Sequence, residues 1–364
     1  MPGCVEVPLS LLVLACLSAH AGQAAEIAAI DHANLQRPAW SSDGSKLAFE
    51  ANFHEKKRIE LYVGAPQRGG FERVHASRRA TSSLTSGFQT SSAGEVAHEL
   101  AWAPARVGAD MFVFSASNKQ QDYDLYVSGG TAVAPAAGAD GGAVWSPDGG
   151  SIVFTSARTG EGDLYLIETD AIEASPQRLT RMAGSSELYV TWAPDGRSLV
   201  FVAHSHTGDN LWLLPAIGAD PSRLTDWPGN QIRPRFAPTD DRIAFYANSD
   251  QRERFDLYVV RVGEAPRRLV KGVYPDARGP AWTPDGRHIV YVADDDSRLD
   301  PVEAVNVGSG AVTDLNLGTV GNGDLDVARR DGGAWVAVVA QGREQDEVRD
   351  FKRLFLAALP PTLR

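Results

Sequence analysis

One phrase returns down this chain at near-constant spacing: an aromatic residue, a small residue, an Asp-Gly turn that Pro precedes in most copies, and an apolar arm. It reads Trp40-Ser-Ser-Asp-Gly44 before Leu47-Ala-Phe49, and Trp145-Ser-Pro-Asp-Gly149 before Ile152-Val-Phe154. It returns as Trp192-Ala-Pro-Asp-Gly196 before Leu199-Val-Phe201, and as Trp282-Thr-Pro-Asp-Gly286 before Ile289-Val-Tyr291. Weaker copies stand at Trp102-Ala-Pro104 and Phe236-Ala-Pro-Thr-Asp240. The anchors are separated by 62, 43, 47, 44 and 46 residues. A period in the mid-forties matches the four-stranded blade of a β-propeller and is too long for the common helical repeats. Pro presets φ and Gly supplies positive φ, so the turn chemistry is that of a hairpin.

The rest of each unit agrees. A third strand follows each hairpin, as in Asp124-Leu-Tyr-Val127, Asp163-Leu-Tyr-Leu166 and Asp256-Leu-Tyr-Val259. A fourth reads Arg178-Leu-Thr180, Arg223-Leu-Thr225 or Arg268-Leu-Val270. β-Branched and aromatic residues fill these strands, and turn-formers fill the gaps. The fold class is all-β. Ala328 stands at the anchor position 46 residues after Trp282, with Asp331-Gly332 as its turn and Arg353-Leu-Phe-Leu-Ala357 as its third strand. That seventh unit lacks a fourth strand. We expect residues 26–31 to pair with residues 354–358 and close a ring of seven four-stranded blades, because closure removes two open edges. Six blades with a C-terminal appendage is the alternative. The long first interval is filled by residues 76–96, rich in Ser and Thr, and reads as a surface loop.

The expected organisation is a signal peptide over 1–21, an N-terminal segment with the closing strand over 22–36, the propeller over 37–358 and a tail over 359–364. An apolar core runs from Val7 to Leu17, and Ala19-His-Ala21 offers a cleavage site, which implies a secreted or periplasmic protein. Val13-Leu-Ala-Cys16 gives the other reading, a lipoprotein anchored at Cys16. No later apolar run reaches the ~20 residues of a membrane span. The formal net charge of −11 argues against nucleic acid as a partner.

The Trp-Ser-Pro-Asp-Gly, Ile-Val-Phe and Asp-Leu-Tyr-Val phrases resemble the repeat of TolB-like β-propellers. They are similar also to the propellers of prolyl oligopeptidases and oligogalacturonate lyases. The resemblance covers roughly residues 37–358. It implies the propeller without the α/β domain that precedes it in TolB, since only about fifteen residues separate Ala21 from the first repeat. No Gly-x-Ser-x-Gly elbow of the peptidase kind occurs. The expectation is a monomeric, non-catalytic scaffold that binds a protein or another component of the cell envelope. The alternative is a carbohydrate-active enzyme resembling oligogalacturonate lyase, with a metal-assisted site at the channel mouth.

Recurrent residues belong to the scaffold, including the Trp anchors and the acids Asp124, Asp163 and Asp256 that open the third strands. Function is therefore sought in the unrepeated loops between second and third strands. Their binding candidates are Arg158, His204, His206, Asp209, Asn248, Arg252 and Arg298. His204 and His206, two apart at a strand end, could share a divalent metal, and Asp294 and Asp296 could offer oxygen ligands to calcium. No full ligand set is evident, so no cofactor is expected. Trp227 and Tyr274, aromatics outside the repeat, are the residues a sugar could stack on.

Overall fold

A computed structural model gives the fold and describes residues 23–74, 97–108, 110–117, 123–248, 254–294, 300–343 and 351–363. Seven four-stranded antiparallel sheets form the blades. Blade 1 comprises Asn34–Trp40, Leu47–Phe53, Arg58–Gly64 and Phe71–Arg73; blade 2 comprises Ala97–Trp102, Phe112–Ser117, Tyr123–Val127 and Ala132–Val133. Blade 3 is Asp140–Trp145, Ser151–Ser156, Asp163–Glu168 and Gln177–Arg178; blade 4 is Ser186–Trp192, Leu199–Ser205, Gly208–Leu214 and Ser222–Arg223. Blade 5 is Gln231–Phe236, Ile243–Ala247, Phe255–Val260 and Arg267–Val273; blade 6 is Ala281–Trp282, His288–Val292, Val302–Asn306 and Val312–Asp314. Blade 7 takes Leu325–Arg330, Gly333–Ala340 and Arg353–Ala358, then borrows Ala25–Ala28 as its outer strand.

The ring closes as the repeat implies. Ala25, Glu26 and Ala28 pair with Leu356, Phe355 and Leu354, and the ladder stops at Ala28. Arg353 Nη1 donates to Glu26 Oε2 across the same seam. Blade 7 differs in its hairpin. Ala328 lies in mid-strand opposite Trp335, and Asp331 and Gly332, both with positive φ, make a tight two-residue turn.

Why the central strands are continuous apolar runs is clear from the packing. Each blade is covered on both faces by its neighbours, so alternation with polar residues is lost. The buried side chains fall into seven clusters, one for each pair of adjacent blades. The cluster between blades 7 and 1 includes Ile27, Leu35, Phe49, Val339 and Leu354. Three of the anchor tryptophans staple inner strands together. Nε1 of Trp102, Trp145 and Trp282 donates to the carbonyls of Ala39, Ala101 and Arg235 in the preceding blade, at 2.9, 3.2 and 3.2 Å.

The repeated turn is likewise structural. Asp43 Oδ1 accepts from Ser41 Oγ and from the Ser45 amide, and Asp148 and Asp285 do the same in their blades. Gly44 has φ +70, and a Cβ there would come within 2.1 Å of the Arg329 carbonyl in blade 7. The acids that open the third strands bind the fourth. Asp163 pairs with Arg178 at 2.7 Å, Asp256 with Arg268 at 3.2 Å, and Glu60 with Arg73 at 3.0 Å.

Candidate functional site

Strand direction places the loops between second and third strands, and the links from each outer strand to the next inner strand, on one face of the ring. Of the sequence candidates there, Arg158 is engaged within the scaffold. Its guanidinium pairs with buried Asp140 at 3.1 Å, bonds Ser156 Oγ at 2.7 Å and the Ala134 carbonyl at 3.1 Å, and lies over Tyr165. His204, Asp209 and Asn248 are brought together by a residue the sequence reading passed over, Asn230. His204 Nδ1 lies 2.5 Å from Asp209 Oδ1, with His204 on the open surface. The Asp209 amide donates to Asn230 Oδ1 at 3.3 Å, and the Asn230 amide to Asn248 Oδ1 at 2.7 Å. Further round the rim, Arg254 faces Asp294 at 3.5 Å. These contacts make an ordered polar arc over blades 4 to 6. His206 is exposed beside it on the turn. Arg252, Arg298 and Asp296 lie outside the described residues, as do residues 1–22, with Cys16 among them, and the whole of 76–96. Among the described residues no group of three or more His, Cys, Asp or Glu is placed to share a metal ion. Trp227 is packed against Phe245 and Tyr258 in the cluster between blades 4 and 5, so it does not stand on the rim. Tyr274 does, at 42% exposure.

The central channel holds a second set of groups. Five inner strands carry a one-residue bulge at the same place, three residues before the anchor: the register slips between Gln36 and Ala39, His98 and Ala101, Gly141 and Val144, Leu188 and Thr191, and Ile232 and Arg235. At that place Arg37, Glu99, Tyr189 and Arg233 have φ of 49, 56, 54 and 55°, while Gly142 and Gly279 fill it in blades 3 and 6. The left-handed region costs a non-glycine residue about 1–3 kcal/mol, and such strain gathers at functional positions. Four of the five bulges place a side chain on an inner edge strand, those of Arg37, Glu99, Tyr189 and Arg233.

Most of this lumen is wired for structure. The inner strands are edges, so their amides need acceptors. Carboxylates of neighbouring blades supply them. Glu50 accepts from the Glu99 amide, Glu99 from Gly142, Asp324 from Arg37 and Ala277, Asp326 from Trp40, and Asp276 from Leu325. Arg37 joins Glu50 and Glu99 at 3.5 and 3.6 Å. Burial and the adjacent Asp324 push the Asp276 carboxyl well above the usual carboxylate range. Arg278 reaches across the channel to the Leu100 carbonyl at 3.0 Å, tying blade 6 to blade 2.

Two members stand outside this wiring. The Arg233 guanidinium lies 3.8 Å over the Tyr189 ring, and its Nη1 donates to the Ala277 carbonyl. No ion pair joins it to a carboxylate among the described residues. Desolvation pulls its pKa below the usual arginine value, whereas the surrounding carboxylates raise that of Arg37. Sequence reasoning missed this ring because it looked between the repeats. The available signal was a repeat position whose residue changes from copy to copy, followed by Pro38, Pro234 and Pro280 in three blades.

No family model matches the sequence, and no curated protein is similar to it at the sequence level. Solved structures do share the fold. TolB from Acinetobacter baumannii is 15% identical with a TM-score of 0.52, over 75% of this chain and 64% of that one. Oligogalacturonate lyase from Vibrio parahaemolyticus is 11% identical with a TM-score of 0.59, over 93% and 94% of the two chains. A puromycin-hydrolyzing peptidase from Mycobacterium tuberculosis is 16% identical with a TM-score of 0.58, over 85% of this chain and 49% of that one. The chain thus spans about two thirds of that TolB chain and half of the peptidase chain. The likeness is one of architecture: a seven-bladed TolB-like propeller. No helix among the described residues is long and apolar enough to cross a membrane.

Proposed function

We propose that this protein is a binding scaffold of the cell envelope, secreted or periplasmic, which holds a protein or envelope partner on the rim over blades 4 to 6. The observation that carries this reading is the polar arc His204–Asp209–Asn230–Asn248, joined by hydrogen bonds and open to solvent at His204. Loops ordered before contact lose less entropy on binding, which is what a recognition surface requires.

The test is capture from envelope extract by the purified mature protein, followed by affinity measurement with the captured partner. The double variant His204→Ala/Asn230→Ala should weaken binding by about tenfold, the effect of losing ~1.4 kcal/mol. Arg287→Ala, on the opposite face and exposed, should leave it unchanged. Equal affinity for the arc variant and the native chain would remove the rim from the reading.

A further inference from the structure

We propose that Arg233, held flat on Tyr189 inside the central channel, is a binding site for the carboxylate of a small organic acid. This goes beyond the rim reading and does not depend on it. The argument is one of accounting for the bulge ring. Its backbone conformation suits glycine, and blades 3 and 6 use glycine. Where a long polar side chain stands there instead, something must employ it. Arg37 is employed by Glu50 and Glu99, and Glu99 by the Gly142 amide. Arg233 is not so engaged: one nitrogen serves the Ala277 carbonyl, and the ring of Tyr189 fixes the plane of the fork.

A planar guanidinium with a free edge matches the two oxygens of a carboxylate. Arg278 adds a donor in the same channel, because its Nε is buried without a hydrogen-bond partner. Gly142 leaves room on the channel wall: a Cβ there would find its nearest neighbour, Thr155 Oγ1, only at 3.9 Å. Charge decides between anions. Arg37 stands between two carboxylates, Glu50 and Glu99, so with Arg233 these four groups sum to zero, and Arg278 brings the one positive charge left for the ligand. A monoanionic carboxylate balances it, whereas a phosphate dianion would be left facing Glu99 uncompensated.

The experiment is isothermal titration of the full chain with propionate, with the neutral isostere propionamide and with inorganic phosphate, at constant ionic strength. Propionate should bind one-to-one and more tightly than either of the others. Arg233→Met should weaken propionate about tenfold or more, the effect expected for loss of a charge-assisted fork. Arg287→Ala, exposed on the opposite face of the ring, should stay within about twofold of the native chain. Thermal melts check that each variant folds. If Arg233→Met does not, Arg233→Lys keeps the charge, loses the fork and should still lower affinity about fivefold. Equal binding of propionate and propionamide, tighter binding of phosphate, or undiminished propionate binding by a folded Arg233 variant would overturn the proposal.

Discussion

Glu187 lies on the inner strand of blade 4, fully buried, with Thr180 Oγ1 and Ser185 Oγ donating to its two oxygens at 2.7 and 2.8 Å. Burial outweighs these donors and pushes the carboxyl up to about 7, from an ordinary value of 4.5. Between those values the folded chain holds a proton that the unfolded chain has released. Stability therefore falls as pH rises from 4.5 through about 7, and stays lower above it. The displacement corresponds to about 3 kcal/mol. Blade 5 already shows the neutral solution. Gln231 occupies the equivalent place, taking the Thr225 hydroxyl at 3.1 Å while the Leu211 amide donates to Thr225. Glu187→Gln should thus raise stability at pH 8 and leave it unchanged near pH 4. Urea midpoints at the two pH values measure this, and an unaltered pH slope in the variant would contradict it.

Among the elements, the four-residue strand Ala25–Ala28 has a large structural task for its length, since it completes blade 7. Ile27 is its buried residue, inserted in the cluster between blades 7 and 1. Ile27→Ala should cost about 2–4 kcal/mol in chemical denaturation, the range for a buried aliphatic side chain cut to Ala. An effect below ~1 kcal/mol would show that the seam does not depend on this contact. The strand was legible beforehand because a unit with three strands leaves an edge open, and an apolar stretch stood waiting at the other end of the chain. The bulges were not legible. Their presence depends on how many residues face each other across two strands, which a single strand's sequence does not contain. Only Pro after Arg37 and Arg233 hinted that these strands lie at an edge. Nor could the loop sequence show that Arg158 is engaged, since its partner Asp140 lies on another strand of the blade. At the rim, the candidates His204, Asp209 and Asn248 came from polarity and loop position. Asn230, which links Asp209 to Asn248, sits before a strand and gave no such signal.

For the whole molecule, seven seams with seven apolar clusters make each blade dependent on two neighbours. A chain lacking residues 1–31 would lose blade 7's outer strand and the Ala24 before it, taking Ala24 and Ile27 from the seams on that blade's two faces, and keep the other five seams intact. Hydrogen exchange should then show protection falling first in Leu47–Phe53 and Arg353–Ala358, with Ser151–Ser156 and Leu199–Ser205 least affected. Uniform loss around the ring would mean that it unfolds as one unit from any opening. The bulge three residues before each anchor has a different consequence. Its side chains meet across blades, Arg37 with Glu50 and Glu99 and Arg233 with Tyr189, so a change at one of them is felt by the blade beside it. The molecule therefore carries a ring of meshed teeth on a fixed wheel: its blades preserve the fold, and the interior chemistry is set tooth against tooth.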